Sequence, residues 1–183
     1  MATAFEIIGT TTITSGTQSS ITFNNIPTTY KDLKILVSAR SSASGPYDPL
    51  LYRFNSSTGS YKSRFVLSNG SAAGSGTLTT AISAAAGGTW GRINDGGVPT
   101  QLQTVSTFGS TEFYIPSYRS SVNKGFNLDT AQESNEASPT NIYIELFAGV
   151  WEDTPAITRV DLALKDGSFA QYTTATLYGI KNT

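Results

Sequence analysis

The chain has neither cysteine nor histidine in its 183 residues. Without cysteine there is no disulfide framework and no thiolate, and without histidine the commonest metal ligand and the commonest general base are both missing. These absences set aside most hydrolase, redox and zinc chemistry. For catalysis they leave a carboxylate pair, a lysine, or a serine without its usual histidine. Charge is also scarce: charged residues are 14% of the chain, and 12 basic against 13 acidic residues give a formal net charge of -1. Neither sign forms a long run, so the clustered Lys and Arg that displace counterions from nucleic acid are not there, and no nucleic-acid partner is expected. No stretch approaches the roughly 20 apolar residues of a membrane helix. The opening MATAFEIIGTTTI has no basic region, and its apolar run is too short for a signal peptide. Synthesis in a cytoplasm without membrane insertion is the expectation.

What the chain does have is core material and turn formers. Hydrophobic residues make up 38%, with 9 Tyr, 9 Phe and 2 Trp, enough for one packed domain spanning residues 1–183. Helical periodicity is hard to find, while short alternating runs bounded by Gly, Ser, Asn and Pro recur. The clearest is DLKILVSAR, where Leu33, Ile35, Val37 and Ala39 point one way and Lys34, Ser38 and Arg40 the other, with Leu36 among them. Further strands are expected at 5–13, 19–23, 50–55, 61–67, 77–82, 111–115, 122–128, 142–151, 157–164 and 173–180. About ten short strands separated by turns predict an all-β fold, a two-sheet antiparallel β-sandwich or jelly roll. PTTYKDL is the one helix-like stretch, a single turn at best. The two terminal strand segments are expected to lie close together and to pair, as termini often do in compact domains. The expected core includes Leu33, Ile35, Val37, Phe54, Phe65, Ile144, Leu146, Val160, Leu162 and Leu177.

Three segments ask for more than a strand assignment. Residues 68–88, SNGSAAGSGTLTTAISAAAGG, are nearly all small and uncharged. They read either as a long surface loop around a short strand or as an arm that orders only against another subunit. In NIYIELFAGVWED both faces are apolar: Ile142, Ile144, Leu146, Ala148 and Val150 form the expected core face, and Tyr143, Glu145, Phe147, Gly149 and Trp151 form the other. That second face needs a cover, either a loop or a partner. Tyr143, Glu145, Phe147 and Trp151 are therefore candidates for a subunit or ligand contact. An aromatic strip beside a carboxylate also suits sugar stacking, with Trp90 and Tyr118 as further candidate exposed aromatics. The glycine-rich AAAGGTWGRINDGG lacks the Lys-Ser/Thr of a phosphate loop. Trp90, Arg92 and Asp95 there predict a hairpin with a packed tryptophan. Glu133, Glu136, Glu145, Glu152 and Asp153 could be imagined as an acid/base pair or a calcium site, but their spacing matches no organised loop, and solvated charges are the expectation. Asn55-Ser56-Ser57 and Asn69-Gly70-Ser71 read as turns. No cofactor and no metal are expected.

Four stretches together, ITFNNIPTTYKDLKILVSARSS, LYRFNSSTGSYKSRFVLSNGSAAGS, EFYIPSYRSSVNKGFNLDTAQESNEASP with IELFAGVWEDTPAITRVDLAL, and GSFAQYTTATLYGIKN, resemble a recurring type of tailed-bacteriophage structural protein found in phages of aquatic bacteria. The resemblance spans nearly the whole chain, is carried by short blocks without a catalytic motif, and transfers no functional residue. It implies a virion component of β-sandwich type, made in the host cytoplasm. As a capsid decoration protein it would bind the major capsid protein or other virion proteins, as a homo-oligomer with a three-fold arrangement as first choice. As tail-fibre or adhesin material it would bind a receptor or a surface glycan. A polysaccharide-acting enzyme is a third, weaker reading. The fold expectation is checked by far-ultraviolet circular dichroism: a β-type spectrum with under about a tenth of residues helical, against the usual third, is the expected outcome.

Overall fold

The computed structural model describes residues 4–78, 82–135 and 142–181. Part of the strand expected at 77–82 and Glu136 lie outside them, and the side chain of Asp95 is likewise not described. None of the described residues is helical, and PTTYKDL is a turn at residues 28–29 leading into a strand. The strands are β1 (Ala4–Thr12), β2 (Thr17–Gln18), β3 (Ser20–Phe23), β4 (Asp32–Ala39), β5 (Asp48–Phe54), β6 (Tyr61–Ser68), β7 (Ala73–Leu78) and β8 (Ile82–Ser83). They continue with β9 (Thr89–Val98), β10 (Gly109–Ile115), β11 (Lys124–Gln132), β12 (Tyr143–Trp151), β13 (Val160–Leu164), β14 (Phe169–Ala170) and β15 (Thr174–Lys181).

Eight strands form a large antiparallel sheet in the order β1-β15-β4-β10-β11-β12-β6-β7, and five form a second sheet in the order β3-β13-β5-β9-β8. A two-stranded piece, β14-β2, lies between them in the chain. The terminal strands pair as expected, from Ala4 against Lys181 to Thr12 against Thr174, with a bulge between Ile7 and Gly9. The pairing then continues through β2/β14 and β3/β13, so the two ends of the chain run as one antiparallel ribbon from the large sheet onto the small one. An antiparallel β-sandwich is the result, with the core between its two sheets.

The alternation of β4 places Leu33, Ile35, Val37 and Ala39 inward, as the sequence predicts. Phe54, Val160, Leu162 and Leu177 are buried too, and Phe65 is half-buried against the same core. At the centre is an aromatic cluster. The Tyr52 ring lies 5.1 Å from Phe126, 5.4 Å from Tyr61, 5.8 Å from Phe54 and Phe113, and 6.1 Å from Phe147, mostly edge to face, the arrangement that ring quadrupoles favour.

In β12 the structure reverses the expected core face. Phe147 and Trp151 are 3% and 1% exposed, whereas Ile144 and Leu146 are 53% and 58% exposed. The gap between two packed sheets, about 10 Å, suits long flat rings. Phe147 reaches Tyr52, Trp151 packs on Phe54 at 5.8 Å, and Gly149 leaves room for Phe126, whose Cζ would lie 2.3 Å from a Cβ at that position. The aliphatic alternation is thereby turned outward.

The described residues of the segment 68–88 are likewise more than a loop. Its β7 extends the large sheet beyond β6 in unbroken register from Ser63–Leu78 to Ser68–Ala73. Ile82, Ala84 and Ala86 pack on Leu51, Trp90 and Ala163, on the outer side of the small sheet, so this stretch orders against its own chain. Asn55 and Asn69-Gly70 are turns: Asn55 has φ 49°, Gly70 has φ 82°, and Asn69 Oδ1 accepts hydrogen bonds from the backbone N–H groups of Ser71 and Ala72.

The reversal makes a direct test. Ile35→Ala is expected to cost about 2–5 kcal/mol through lost burial and a cavity, and Leu146→Ala about 0.5 kcal/mol or less, as at ordinary surface positions. Urea unfolding midpoints compare them, and similar losses at both sites would contradict the assigned face.

Candidate binding face on the large sheet

Most of the candidate site residues belong to the interior. Glu145 is buried, and its Oε1 accepts a hydrogen bond from the backbone N–H of Asn94 in β9 at 3.0 Å, which stitches the large sheet to the small one. Tyr143 is half-buried with its ring 4.5 Å from that of Tyr47. Phe147 and Trp151 are core, so what covers this face of β12 is the second sheet, and neither a loop nor a partner is needed. The two aromatics expected to be exposed are also buried. Trp90 lies under the Arg53 guanidinium at 4.1 Å and donates from Nε1 to the Gly87 carbonyl at 2.8 Å, in the expected β8–β9 hairpin. Tyr118 donates its hydroxyl to the Pro27 carbonyl.

Three buried charged groups, Asp161, Asp48 and Lys124, are also taken up by the fold. Asp161 accepts from Thr22 Oγ1 at 2.7 Å and pairs with Arg159 at 2.7 Å and Arg53 at 3.3 Å. Asp48 accepts from Ser41 Oγ and from the N–H groups of Asp166 and Gly167; burial, partly offset by those bonds, pushes its pKa up. Lys124 donates to the carbonyls of Val122, Thr154 and Asp153, and burial lowers its pKa. Of the candidate carboxylates, Glu152 pairs with Lys62 at 2.6 Å, Glu133 caps the Asn135 N–H and Asp153 caps the Thr154 N–H. Among the described residues no group of three His, Cys, Asp or Glu is placed to hold a metal ion.

The feature that remains is on the outer face of the large sheet. Leu146 and Ala148 of β12 form the floor of an open groove of about 400 Å³. Its walls are Val66 and Arg64 on β6 and Asn127 and Asp129 on β11. The registers explain the geometry: Leu146 lies between Val66 and Asp129, and Ala148 between Arg64 and Asn127. Exposed Ile144 and Val150 extend the aliphatic row along β12 in both directions. A contiguous aliphatic row of this kind is the chemistry of a contact with another apolar surface. Part of it was available in the sequence: once Phe65 points inward, alternation turns Arg64 and Val66 outward. Asp129 was missed because the expected strand stopped at Leu128, whereas β11 runs to Gln132. Comparison with protein-family models finds no match, and comparison with curated proteins finds none either.

Burial alone would raise the pKa of Asp161, but hydrogen bonds from Arg159 and Thr22, with the charges of Arg159 and Arg53, outweigh it and hold the carboxyl below its ordinary value. A carboxylate depressed in the folded state stabilises above its unfolded pKa of about 3.9 and loses that contribution as pH falls through the lower folded value. Asp161→Asn is therefore expected to destabilise the protein near neutral pH and progressively less below about pH 4. Denaturant midpoints of the two proteins measured across the acid range should converge.

Proposed function

We propose that the protein is a non-enzymatic structural component of a tailed-phage virion, a capsid decoration protein that attaches to the assembled shell by protein–protein contact. The observation that supports this reading is the outward aliphatic row of β12 and β6. An apolar groove edged by an arginine and an aspartate has the makeup of a protein interface, with an apolar centre and a polar rim. The block resemblance to phage structural proteins supplies the setting, and a fold held without disulfides suits assembly in a reducing cytoplasm. The second reading, a tail-fibre receptor-binding or carbohydrate-binding module, was motivated by exposed aromatics beside a carboxylate. Trp90, Tyr118, Phe147, Trp151 and Glu145 are buried, so that reading is left with the resemblance as its support. The oligomer contact expected through Tyr143, Phe147 and Trp151 likewise loses its basis, since Phe147 and Trp151 are buried, while the three-fold arrangement is what the resemblance alone implies.

The test is location on the particle. Immunogold labelling or cryo-imaging of purified virions is expected to place the protein on the capsid surface, with co-purification alongside the major capsid protein. Label confined to the tail would favour the second reading, and absence from particles would remove both.

A further inference from the structure

The groove on the outer sheet face carries two opposite charges that nothing in the described fold neutralises. Arg64 of β6 donates to the carbonyl of its own neighbour Ser63 at 3.0 Å and makes no ion pair among the described residues. Asp129 of β11 has neither a hydrogen-bond nor an ion-pair partner through its side chain among the described residues, and it faces Glu112 across the β10–β11 pairing. Like charges directly opposite on a sheet repel. Glu112 is relieved by Lys34 at 2.6 Å, and Lys62 is satisfied by Glu152 at 2.6 Å. Arg64 and Asp129 sit two strand spacings apart across the sheet, roughly 9.5 Å, and two residues apart along it, roughly 6.6 Å, on opposite sides of the floor formed by Leu146 and Ala148.

This placement is self-complementary. Consider a two-fold axis lying in the plane of contact, crossing β12 between Leu146 and Ala148 and running oblique to the strand, as the perpendicular bisector of the line from Arg64 to Asp129. It exchanges the two charged positions, so that Arg64 of each copy comes over Asp129 of the other, twice. The same operation brings the Val66, Leu146 and Ala148 patch of one copy against that of the other. We infer that the groove docks on the same groove of a second copy of this chain, forming a two-fold dimer with a dry aliphatic centre and two reciprocal Arg64–Asp129 pairs. A surface that packs on itself is isologous and closes at two copies, so this face makes a dimer where the sequence suggested a three-fold assembly. The inference rests on the reading of this face as a protein interface and goes beyond it by assigning that interface to self-association, so that a dimer would meet a shell through its other surfaces.

Charge reversal tests it. Sedimentation velocity of the full chain is expected to show dimer forming as concentration rises. Arg64→Asp alone and Asp129→Arg alone each place like charges opposite one another at both contacts, and each is expected to weaken the dimer at least about tenfold, since such juxtaposition costs several kcal/mol. Both side chains are exposed, so circular dichroism should be unchanged. An equimolar mixture of the two variants is expected to recover dimer, because every introduced charge then meets its opposite. A wild type that stays monomeric to high micromolar concentration, a dimer indifferent to both reversals, or a mixture that stays monomeric would each overturn the inference. Co-sedimentation of the same samples with assembled shells separates the two proposals. Dimers that do not bind shells leave the inference standing and remove the decoration reading. Monomers that bind shells, and lose binding on Leu146→Lys, assign the face to the shell protein and overturn the inference.

Discussion

The packing of aromatic rings between the two sheets is the constraint from which the rest of this molecule follows. Tyr52 touches five other rings contributed by β5, β6, β10, β11 and β12. Rings of this size fit only where a neighbouring strand yields space. Gly149 yields it to Phe126 and Gly91 to Tyr52, since a Cβ at either glycine would lie within 2.3 Å or 2.5 Å of the ring. The glycines and rings are therefore one device, assembled from residues far apart in sequence. Because β12 supplies both a ring and a glycine to it, the inward face of that strand is settled by volume and shape, and its aliphatic residues are left outside.

The polar interior follows the same logic. A buried carboxylate or ammonium is tolerated when its hydrogen bonds are complete. Here Glu145 reaches Asn94, Asp48 gathers a hydroxyl and two backbone N–H groups, Lys124 gathers three carbonyls, and Arg40 donates to the carbonyls of Gln103, Thr104 and Thr107. Each ties a strand to a loop or to the opposite sheet. These charges serve the fold, which directs attention to the charges on the surface as the ones available for contacts. Arg64 and Asp129 flank the aliphatic groove over β12 of the large sheet, so the interior packing and the candidate interface are two consequences of the same choice of face.

β4 was readable from its own residues because its alternation is one-sided: aliphatic side chains inward and Lys34 and Ser38 outward. The terminal pairing of β1 with β15 was readable because both segments are rich in threonine and apolar residues and share strand chemistry. β12 was not, since both its alternations are apolar, and hydrophobicity summed over each favours Ile144, Leu146 and Val150 for the core. The other alternation also carries a carboxylate, Glu145. Its hydrogen-bond donor, Asn94, lies 51 residues away in another sheet, and no local pattern reports it.

By itself the sequence determined the fold class and the location of most strands, because alternation and turn formers are local and a chain this poor in helical periodicity has few other ways to bury its apolar residues. Scarce charge and the missing histidine and cysteine likewise bounded the chemistry. Tertiary structure alone determined which side of β12 is inside, where Trp90 and Tyr118 reside, and which charges stay unpaired beside the aliphatic groove. Those outcomes depend on the depth of the gap between two sheets and on ring, glycine and hydrogen-bond partners brought together across the whole chain, and side-chain period within one strand contains no information about either.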